Sequence, residues 1–170
     1  MPGKSPEEFR TRVKIIAEGL GKASNAVGAQ ACYLAGEYLA KYTPIDTGQA
    51  KSNWQASRVS PRTVRRGAYA SGIWGSTEGA NEAATIAQIR KECVARKKNQ
   101  QMFLTNNLPY ISKLDAAYDT IKRKFPTPPA KYRRGFFQVA VQRAAEAIRN
   151  SRAFKQALAG KGASIRMEDI

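Results

Sequence analysis

Apolar residues in the first quarter of the chain recur at steps of three, four and seven positions, which places them on one face of an α-helix. A capping box from Ser5 to Glu8 marks the start of this helix, and the pattern runs to about Tyr42. Glycines weaken its middle, so the pattern predicts either one long helix or two helices with a break near Gly21. The apolar stripe consists of Phe9, Val13, Ile16, Leu20, Val27, Ala31, Leu34 and Tyr38.

The period changes to two in the next segment. Between Gln49 and Val59, small or apolar residues alternate with polar ones, which predicts a strand with one modestly buried face. Trp54 lies in the middle of this strand and is expected to be partly buried against the first helix. Residues 60–67 are expected to form a turn or a long hairpin loop, and residues 68–74 a second strand.

Helical and extended patterns alternate in the remaining chain. Asn81 is placed to cap a helix that runs from Glu82 to about Lys98, with Ile86, Ile89 and Cys93 on one side. A short strand is expected at residues 102–105, and one helical turn at Tyr110–Leu114. A last helix is predicted over roughly residues 134–158, and its apolar face consists of Phe137, Val141, Ala144 and Ile148.

These elements predict a single α+β domain over residues 1–159. A long N-terminal helix, broken or continuous, would pack on a small antiparallel sheet together with a middle helix and a C-terminal helix. Three prolines within residues 126–129 exclude regular structure, so residues 115–131 are interpreted as a basic, Pro-rich loop. Residues 160–170 are expected to form a flexible tail.

A sharp turn is predicted at residues 44–48, between the first helix and the first strand. Pro44 ends the helix because it forces the preceding residue out of the helical conformation. Asp46 or Thr47 can cap the bend by side-chain hydrogen bonding, and Gly48 can supply a positive φ angle. The triplet Asp-Thr-Gly also occurs in aspartic proteases, but a polar segment follows it here. The turn is therefore interpreted as a structural joint.

Charge indicates what kind of partner to expect. The 170 residues include 29 Lys and Arg against 13 Asp and Glu, a net charge of +16, and residues 86–170 hold +12 of it. Such an excess favours contact with nucleic acid, a membrane surface or an acidic protein, unless it is only a solvated basic surface. No run of 18 apolar residues occurs and the N-terminus has no pattern of a secretory signal, so no membrane partner is expected.

The chain offers little catalytic chemistry. It has no histidine, which removes the commonest metal ligand and the commonest general base. Cys32 and Cys93 lie in apolar helical patterns and are interpreted as buried free thiols in a reducing compartment. The carboxylates are scattered, and no glycine motif for phosphate binding is present. We therefore expect a protein that is not an enzyme and that holds no cofactor or metal.

Two motifs, about 60 residues apart, carry a resemblance to a known family. The first contains Thr43, Pro44, Asp46, Thr47, Gly48 and Trp54, and the second contains Thr105, Asn106, Asn107, Leu108, Pro109, Tyr110 and Leu114. Together with the helix before them, they resemble the minor tail protein Z family of long-tailed bacteriophages, which are tail completion proteins. Related head-tail neck proteins share the Pro-x-Asp-Thr-Gly joint. Residues 128–130 and Gly135 look like the family's segment before its last helix, but Asp115-Ala116-Ala117-Tyr118 replaces the usual Glu-Tyr-Gly.

The resemblance implies a structural virion protein that forms a ring, a hexamer or a dodecamer, at the neck where the tail joins the head. Its partners would be identical subunits, the head-tail connector and tail proteins, with the host cytoplasm as the place of assembly. The alternative is a basic nucleic-acid-binding protein that is not part of a virion. The candidate contacts to DNA or to an acidic partner are Arg62, Arg65, Arg66, Lys122, Arg123, Lys124, Lys131, Arg133 and Arg134.

Overall fold

The computed structural model describes residues 26–45, 47–116 and 136–159. Helix α1 occupies residues 26–42 of the described chain. The elements after it are helix α2 (Gln49–Ser52), strand β1 (Gln55–Ser57), helix α3 (Glu78–Val94), strand β2 (Phe103–Thr105), helix α4 (Ile111–Ala116), helix α5 (Phe136–Asn150) and helix α6 (Arg152–Leu158). The fold is α+β, as the sequence predicted, and the strand expected at residues 102–105 is confirmed as β2.

The two strands form an antiparallel pair in which Ala56 lies opposite Leu104. The edge of β1 that faces away from β2 is closed by a side chain of α3. The N–H of Ala56 donates to Oε1 of Gln88 at 3.2 Å, and Nε2 of Gln88 donates to the carbonyl of Ala56 at 3.0 Å. The amide group of Gln88 thus takes the place of a third strand, so this edge does not need a neighbouring chain to cover it.

The apolar core lies between α1, β1, α3 and α5. Leu39, Trp54, Ile89 and Phe136 are its largest buried members, each with at most 5% of its surface exposed. Helix α1 approaches α3 closely at Gly36, where a Cβ atom would lie only 2.7 Å from Cδ1 of Ile89. None of the helices in the described ranges is long and apolar enough to cross a membrane.

Helix α1 ends at residue 42, as predicted. The backbone N–H and the hydroxyl of Thr43 both donate to the carbonyl of Leu39, at 3.0 and 2.6 Å. The buried face is rotated from the predicted stripe, since Ala29, Leu39 and Ala40 are buried while Val27, Ala31, Leu34 and Tyr38 are only half-buried. The predicted helix start at Ser5 and the break near Gly21 lie outside the described residues.

One predicted strand is much shorter than expected, and another is wrong. The segment expected to be extended from Gln49 to Val59 begins with the short helix α2, and only the three residues of β1 pair with another strand. Residues 68–74 form bends and turns, because the N–H and the carbonyl of Ala70 are both bonded to the side chain of Asn81, at 3.0 and 2.8 Å. A backbone held by a side chain in this way cannot pair with β1.

Helix α3 begins about one turn earlier than predicted, at Glu78 instead of Glu82. Asn81 therefore does not cap the helix; it is buried within the first turn, where its side chain bonds to Ala70 and Thr77. The helix ends at Val94, short of the predicted Lys98. Ile89 and Cys93 are buried as expected, whereas Ile86 is half-buried.

The predicted last helix is two helices. Ser151 has an extended conformation and its hydroxyl accepts a hydrogen bond from the N–H of Phe154 at 3.2 Å, which starts α6. The buried face of α5 also differs from the prediction, because Phe136, Ala140 and Ala144 are buried while Phe137 and Val141 are 47% and 44% exposed.

A side chain of helix α4 accepts a hydrogen bond from the first turn of α5. Oδ1 of Asp115 accepts from the N–H of Phe137 at 2.8 Å, so a carboxylate lies at the N-terminal end of α5, where the helix dipole favours it. The helical turn predicted at Tyr110–Leu114 is confirmed as α4. Most of the predicted loop at 115–131 and all of the tail at 160–170 lie outside the described residues.

Candidate functional site: an arginine loop held by two motifs

The predicted contact residues that the structure describes lie in residues 60–67, which we call the arginine loop. Arg62 and Arg65 are exposed and Arg66 is half-buried. The loop forms neither helix nor strand, so its backbone groups need partners other than the usual ladders. The side chains of the two sequence motifs and of the residues next to them supply those partners.

Side chains next to Trp54 hold one side of the loop. Nδ2 of Asn53 donates to the carbonyl of Arg66 at 2.7 Å, and the N–H of Arg66 donates back to Oδ1 of Asn53 at 2.8 Å. Nε2 of Gln55 donates to the carbonyl of Val64 at 2.8 Å. The loop therefore runs antiparallel to residues 53–55, as a hairpin would, but amide side chains replace the backbone bonds of a sheet.

The second motif holds the same loop near its N-terminal end. The hydroxyl of Thr105 donates to the carbonyl of Arg62 at 3.3 Å, and Nδ2 of Asn107 donates to the same carbonyl. Nε of Arg65 donates to the carbonyl of Asn107 at 3.2 Å. The carbonyls of every second loop residue from Arg62 to Arg66 thus accept from motif side chains or their immediate neighbours.

The second motif also bonds to the segment between Gly48 and Trp54 of the first motif. Nδ2 of Asn106 donates to the carbonyl of Ala50 at 2.9 Å, and the hydroxyl of Tyr110 donates to Oε1 of Gln49 at 3.3 Å. Asn106 accepts from the N–H of Leu108 at 3.3 Å, which fixes the turn before the exposed Pro109. Segments that lie far apart in the sequence therefore form one support under the arginine loop.

The residues that build this support were not predicted from the sequence. Asn53, Gln55 and Ser57 alternate with the apolar residues around Trp54, and the alternation predicted a single buried face. Instead, all three are buried, with at most 2% of their surface exposed, because the arginine loop covers the polar face of β1. The signal that could have found them is their chemistry, since two amides two residues apart can bond an adjacent backbone.

The joint at residues 44–48 leads from α1 into α2, where Gly48 is the N-cap and no side chain of the described residues caps the helix. Gly48 has a φ angle of 85°, which confirms the expected positive φ, and Pro44 is buried while Thr47 is exposed. A Cβ atom at Gly48 would lie 2.4 Å from Nδ2 of Asn81. Glycine is needed here both for the backbone angle and for the approach of Asn81. Asp46 lies outside the described residues.

Asn81 joins the joint to the loop segment that follows the arginine loop. Its Oδ1 accepts from the hydroxyl of Ser52 at 2.7 Å, and its Nδ2 donates to the carbonyl of Thr77 at 2.9 Å. The hydroxyl of Ser52 in turn accepts from the N–H of Tyr69 at 3.2 Å. The network is buried and its polar atoms are paired, so it can fix one arrangement of the chain.

Trp54 links the end of α1 to β1. It is 5% exposed, so it is buried more completely than expected, and its Nε1 donates to the hydroxyl oxygen of Thr43 at 2.7 Å. Its ring stacks against Phe137 at a centroid distance of 6.3 Å. The joint therefore fixes a helix to a strand through α2 and this indole.

Ion pairs neutralise the two cations that precede the arginine loop in the segment after the joint. Nζ of the fully buried Lys51 lies 3.3 Å from Oε1 of Glu78 and 3.1 Å from Oε2 of Glu82. Nε of Arg58 lies 2.9 Å from Oε2 of Glu92. By contrast, Arg62, Arg65 and Arg66 make no ion pair with any carboxylate of the described residues.

Neutral acceptors position two of these three guanidinium groups. Besides the contact of Arg65 with Asn107, Nη1 of Arg66 donates to the hydroxyl of Tyr69 at 2.6 Å and its guanidinium carbon lies 5.9 Å from the centre of that ring. Among the described residues, the positive charge of the loop is therefore ordered and has no carboxylate partner.

Cys32 and Cys93 are free thiols that meet between α1 and α3. A hydrogen bond from the Cys93 thiol lowers the pKa of Cys32, against the effect of burial and with help from the charge of Arg96. The same contact, together with burial, raises the pKa of Cys93. In the part of the chain that the structure describes, no three His, Cys, Asp or Glu side chains are grouped to hold a metal ion.

The remaining predicted contacts cannot be placed beside the arginine loop, because Lys122, Arg123, Lys124, Lys131, Arg133 and Arg134 lie outside the described residues. Comparison of the chain with known protein families, with curated proteins and with solved structures finds no match.

Proposed function

We propose that this protein is a structural virion protein of a tailed bacteriophage, a ring-forming neck or tail completion protein that joins the tail to the head. The observation that carries the proposal is the contact between the two motifs behind the family resemblance. Side chains of the second motif bond to the segment between Gly48 and Trp54 of the first motif and to one exposed loop, as with Asn106 on Ala50 and Asn107 on Arg62. These hydrogen bonds fix the backbone of the exposed loop, and a surface of fixed geometry is what a subunit of an assembly needs for its contacts.

Exposed apolar side chains on a rigid turn support contacts between subunits. Ile73 and Trp74 are 67% and 59% exposed, and the turn that carries them is closed by hydrogen bonds from Ser76 to Ile73 and from Glu78 to Gly75, at 3.1 and 3.0 Å. Identical subunits in a hexamer or a dodecamer would meet through unlike surfaces that close by rotation. A stable contact of this kind buries about 800 Å² on each partner.

A basic nucleic-acid-binding protein outside a virion is the second candidate, because Arg62, Arg65 and Arg66 lack carboxylate partners among the described residues. The two candidates differ in where the protein is found. A virion component stays with purified particles through a salt wash, whereas a free binding protein stays with the cell extract.

The test deletes the gene in the phage that encodes the chain and examines the products by electron microscopy. We expect filled heads and separate tails, restoration of joined particles when the protein is supplied in trans, and a tagged copy located at the neck. Normal tailed particles that lack the protein would refute the proposal.

A further inference from the structure

One segment of the chain concentrates positive charge without any negative charge. No Asp or Glu occurs between Thr47 and Thr77, although the segment holds one lysine and four arginines. Lys51 and Arg58 pair with glutamates of α3, as described above. The three arginines of the arginine loop keep their charge, since no carboxylate of the described residues pairs with them.

From these observations we propose that the arginine loop binds the phosphate backbone of nucleic acid without reading its bases, and that its partner is duplex DNA. The choice of duplex DNA rests on the proposed function, because a ring at the neck surrounds the genome that passes through it. Binding to phosphate rests only on the geometry of the loop.

The loop is ordered before any partner arrives. The carbonyls of Arg62, Val64 and Arg66 already accept hydrogen bonds from side chains of β1 and β2 or of the residues next to these strands. The conformational entropy that a flexible loop would lose on binding has therefore already been lost on folding. The exposed guanidinium groups of Arg62 and Arg65 remain for the partner.

Phosphate fits this arrangement better than an acidic protein surface does. The guanidinium group offers a planar pair of donors that matches a phosphate, and all three loop cations are arginines. An extended chain of three or four residues spans roughly 10–13 Å, and a duplex presents one phosphate charge for about every 1.7 Å of its axis. Several phosphates are thus within reach of the loop, whereas a protein would need a matching cluster of unpaired carboxylates.

The geometry favours backbone contacts over base recognition. Sequence reading in the major groove requires a helix or a two-stranded ribbon that presents side chains to base edges, and the arginine loop is neither. Tyr69 is the aromatic residue that contacts a side chain of the loop, and the guanidinium of Arg66 lies 5.9 Å from the centre of its ring, where it competes with the stacking of a single-stranded base. Affinity should therefore be independent of base sequence.

The test measures binding of the full chain to a short fluorescent DNA duplex by anisotropy, over a range of salt concentrations. The variant replaces the loop cations, as Arg62→Gln, Arg65→Gln and Arg66→Gln together. The matched control removes three exposed cations elsewhere, as Lys97→Gln, Lys98→Gln and Arg149→Gln, and so has the same net charge. Thermal melting of both variants confirms folding, and the double variant Arg62→Gln with Arg65→Gln serves if the triple variant does not fold.

We expect the loop variant to lose about 1.8 units from the slope of log affinity against log salt, since the phosphate contacts of Arg62 and Arg65 contribute about 0.9 each. Raising the salt from 50 to 200 mM should then weaken the wild type roughly 12-fold more than the variant. The control should keep a slope close to that of the wild type, and a duplex of unrelated sequence should bind equally well.

Equal slopes for the loop variant and the control would overturn the proposal, as would binding to poly-glutamate with no binding to DNA. A single strand that binds more tightly than the duplex would overturn the choice of duplex DNA. These results are separate from the particle experiment, because a neck protein that does not bind DNA would still be found in particles. Conversely, a DNA-binding protein that is absent from particles would refute only the proposed function and the choice of partner that depends on it.

Discussion

The arginine loop and helix α5 are held in the protein by opposite means. The loop has no regular structure, yet its carbonyls at Arg62, Val64 and Arg66 accept from buried or half-buried polar side chains. Helix α5 satisfies most of its backbone internally, apart from the N–H of Phe137 that bonds to Asp115, and is fixed mainly by the insertion of Phe136 and Ala140 into the apolar core. A segment of this molecule can therefore have a fixed backbone without being a helix or a strand, even where its side chains are exposed.

Substitutions in the two regions should also destabilise the protein in different ways. Loss of an apolar group from α5 leaves a cavity and affects the whole core. Loss of a polar group beneath the loop leaves backbone atoms that water can partly solvate, since the loop lies at the surface.

The largest effect is expected at Phe136, which is 1% exposed, next to Phe137, which is 47% exposed. Phe136→Ala should lower the free energy of unfolding by about 3–5 kcal/mol, because it opens a cavity between α1, β1 and α5. Phe137→Ala should cost only about 1 kcal/mol, through the lost stacking on Trp54. Urea denaturation of both variants measures the two free energies of unfolding. Equal losses of stability would contradict the conclusion that Phe136 belongs to the core and Phe137 does not.

These neighbouring phenylalanines also show what periodicity can and cannot predict. The pattern of apolar residues located the last helix to within a few residues, but it assigned Phe137 and Val141 to the core. Two apolar stripes run along this helix, one through Phe136, Ala140 and Ala144 and one through Phe137 and Val141. The choice between them depends on which stripe the core of α1, β1 and α3 can accommodate, and that information lies elsewhere in the sequence.

The second effect concerns the joint. Gly48→Ala should destabilise the protein by about 2–4 kcal/mol. The alanine would have to adopt the strained positive φ angle of this position, and its Cβ atom would lie 2.4 Å from Nδ2 of Asn81. Gly79 provides a matched control, since it lies in α3 with no atom within 4 Å of a new Cβ. Gly79→Ala should stabilise the protein by up to about 1 kcal/mol through helix propensity. A thermal melt that shifts both variants in the same direction would contradict this account.

The joint was predictable because its chemistry is local. Pro44 and Gly48 act on their own backbone angles, so the sequence alone indicates where α1 ends and where a positive φ occurs. The support beneath the arginine loop was not predictable in the same way. Asn53 and Asn107 act on a backbone that lies 13 and 45 residues away in the chain. The sequence shows only polar residues in an alternating pattern, which also occurs in solvent-facing strands.

The smallest change in stability is expected when one side chain that bonds to the arginine loop is removed. Asn53→Ala removes the side chain that bonds both the N–H and the carbonyl of Arg66, and it should cost about 1–3 kcal/mol. The sharper measurement is limited proteolysis, because trypsin cleaves after arginine only where the backbone can open locally. Wild-type protein should resist cleavage after Arg65 and Arg66, and Asn53→Ala should be cut there at least tenfold faster.

The control for this variant is Asn150→Ala, which removes an exposed amide at the end of α5. Cleavage after Arg65 should then stay slow, and cleavage after the exposed Lys97 should be the same in all three proteins. Rapid cutting of the wild type at Arg65 would show that the loop opens freely despite its hydrogen bonds. In that case, the side chains of the two motifs do not order the loop, and the contrast with α5 does not hold.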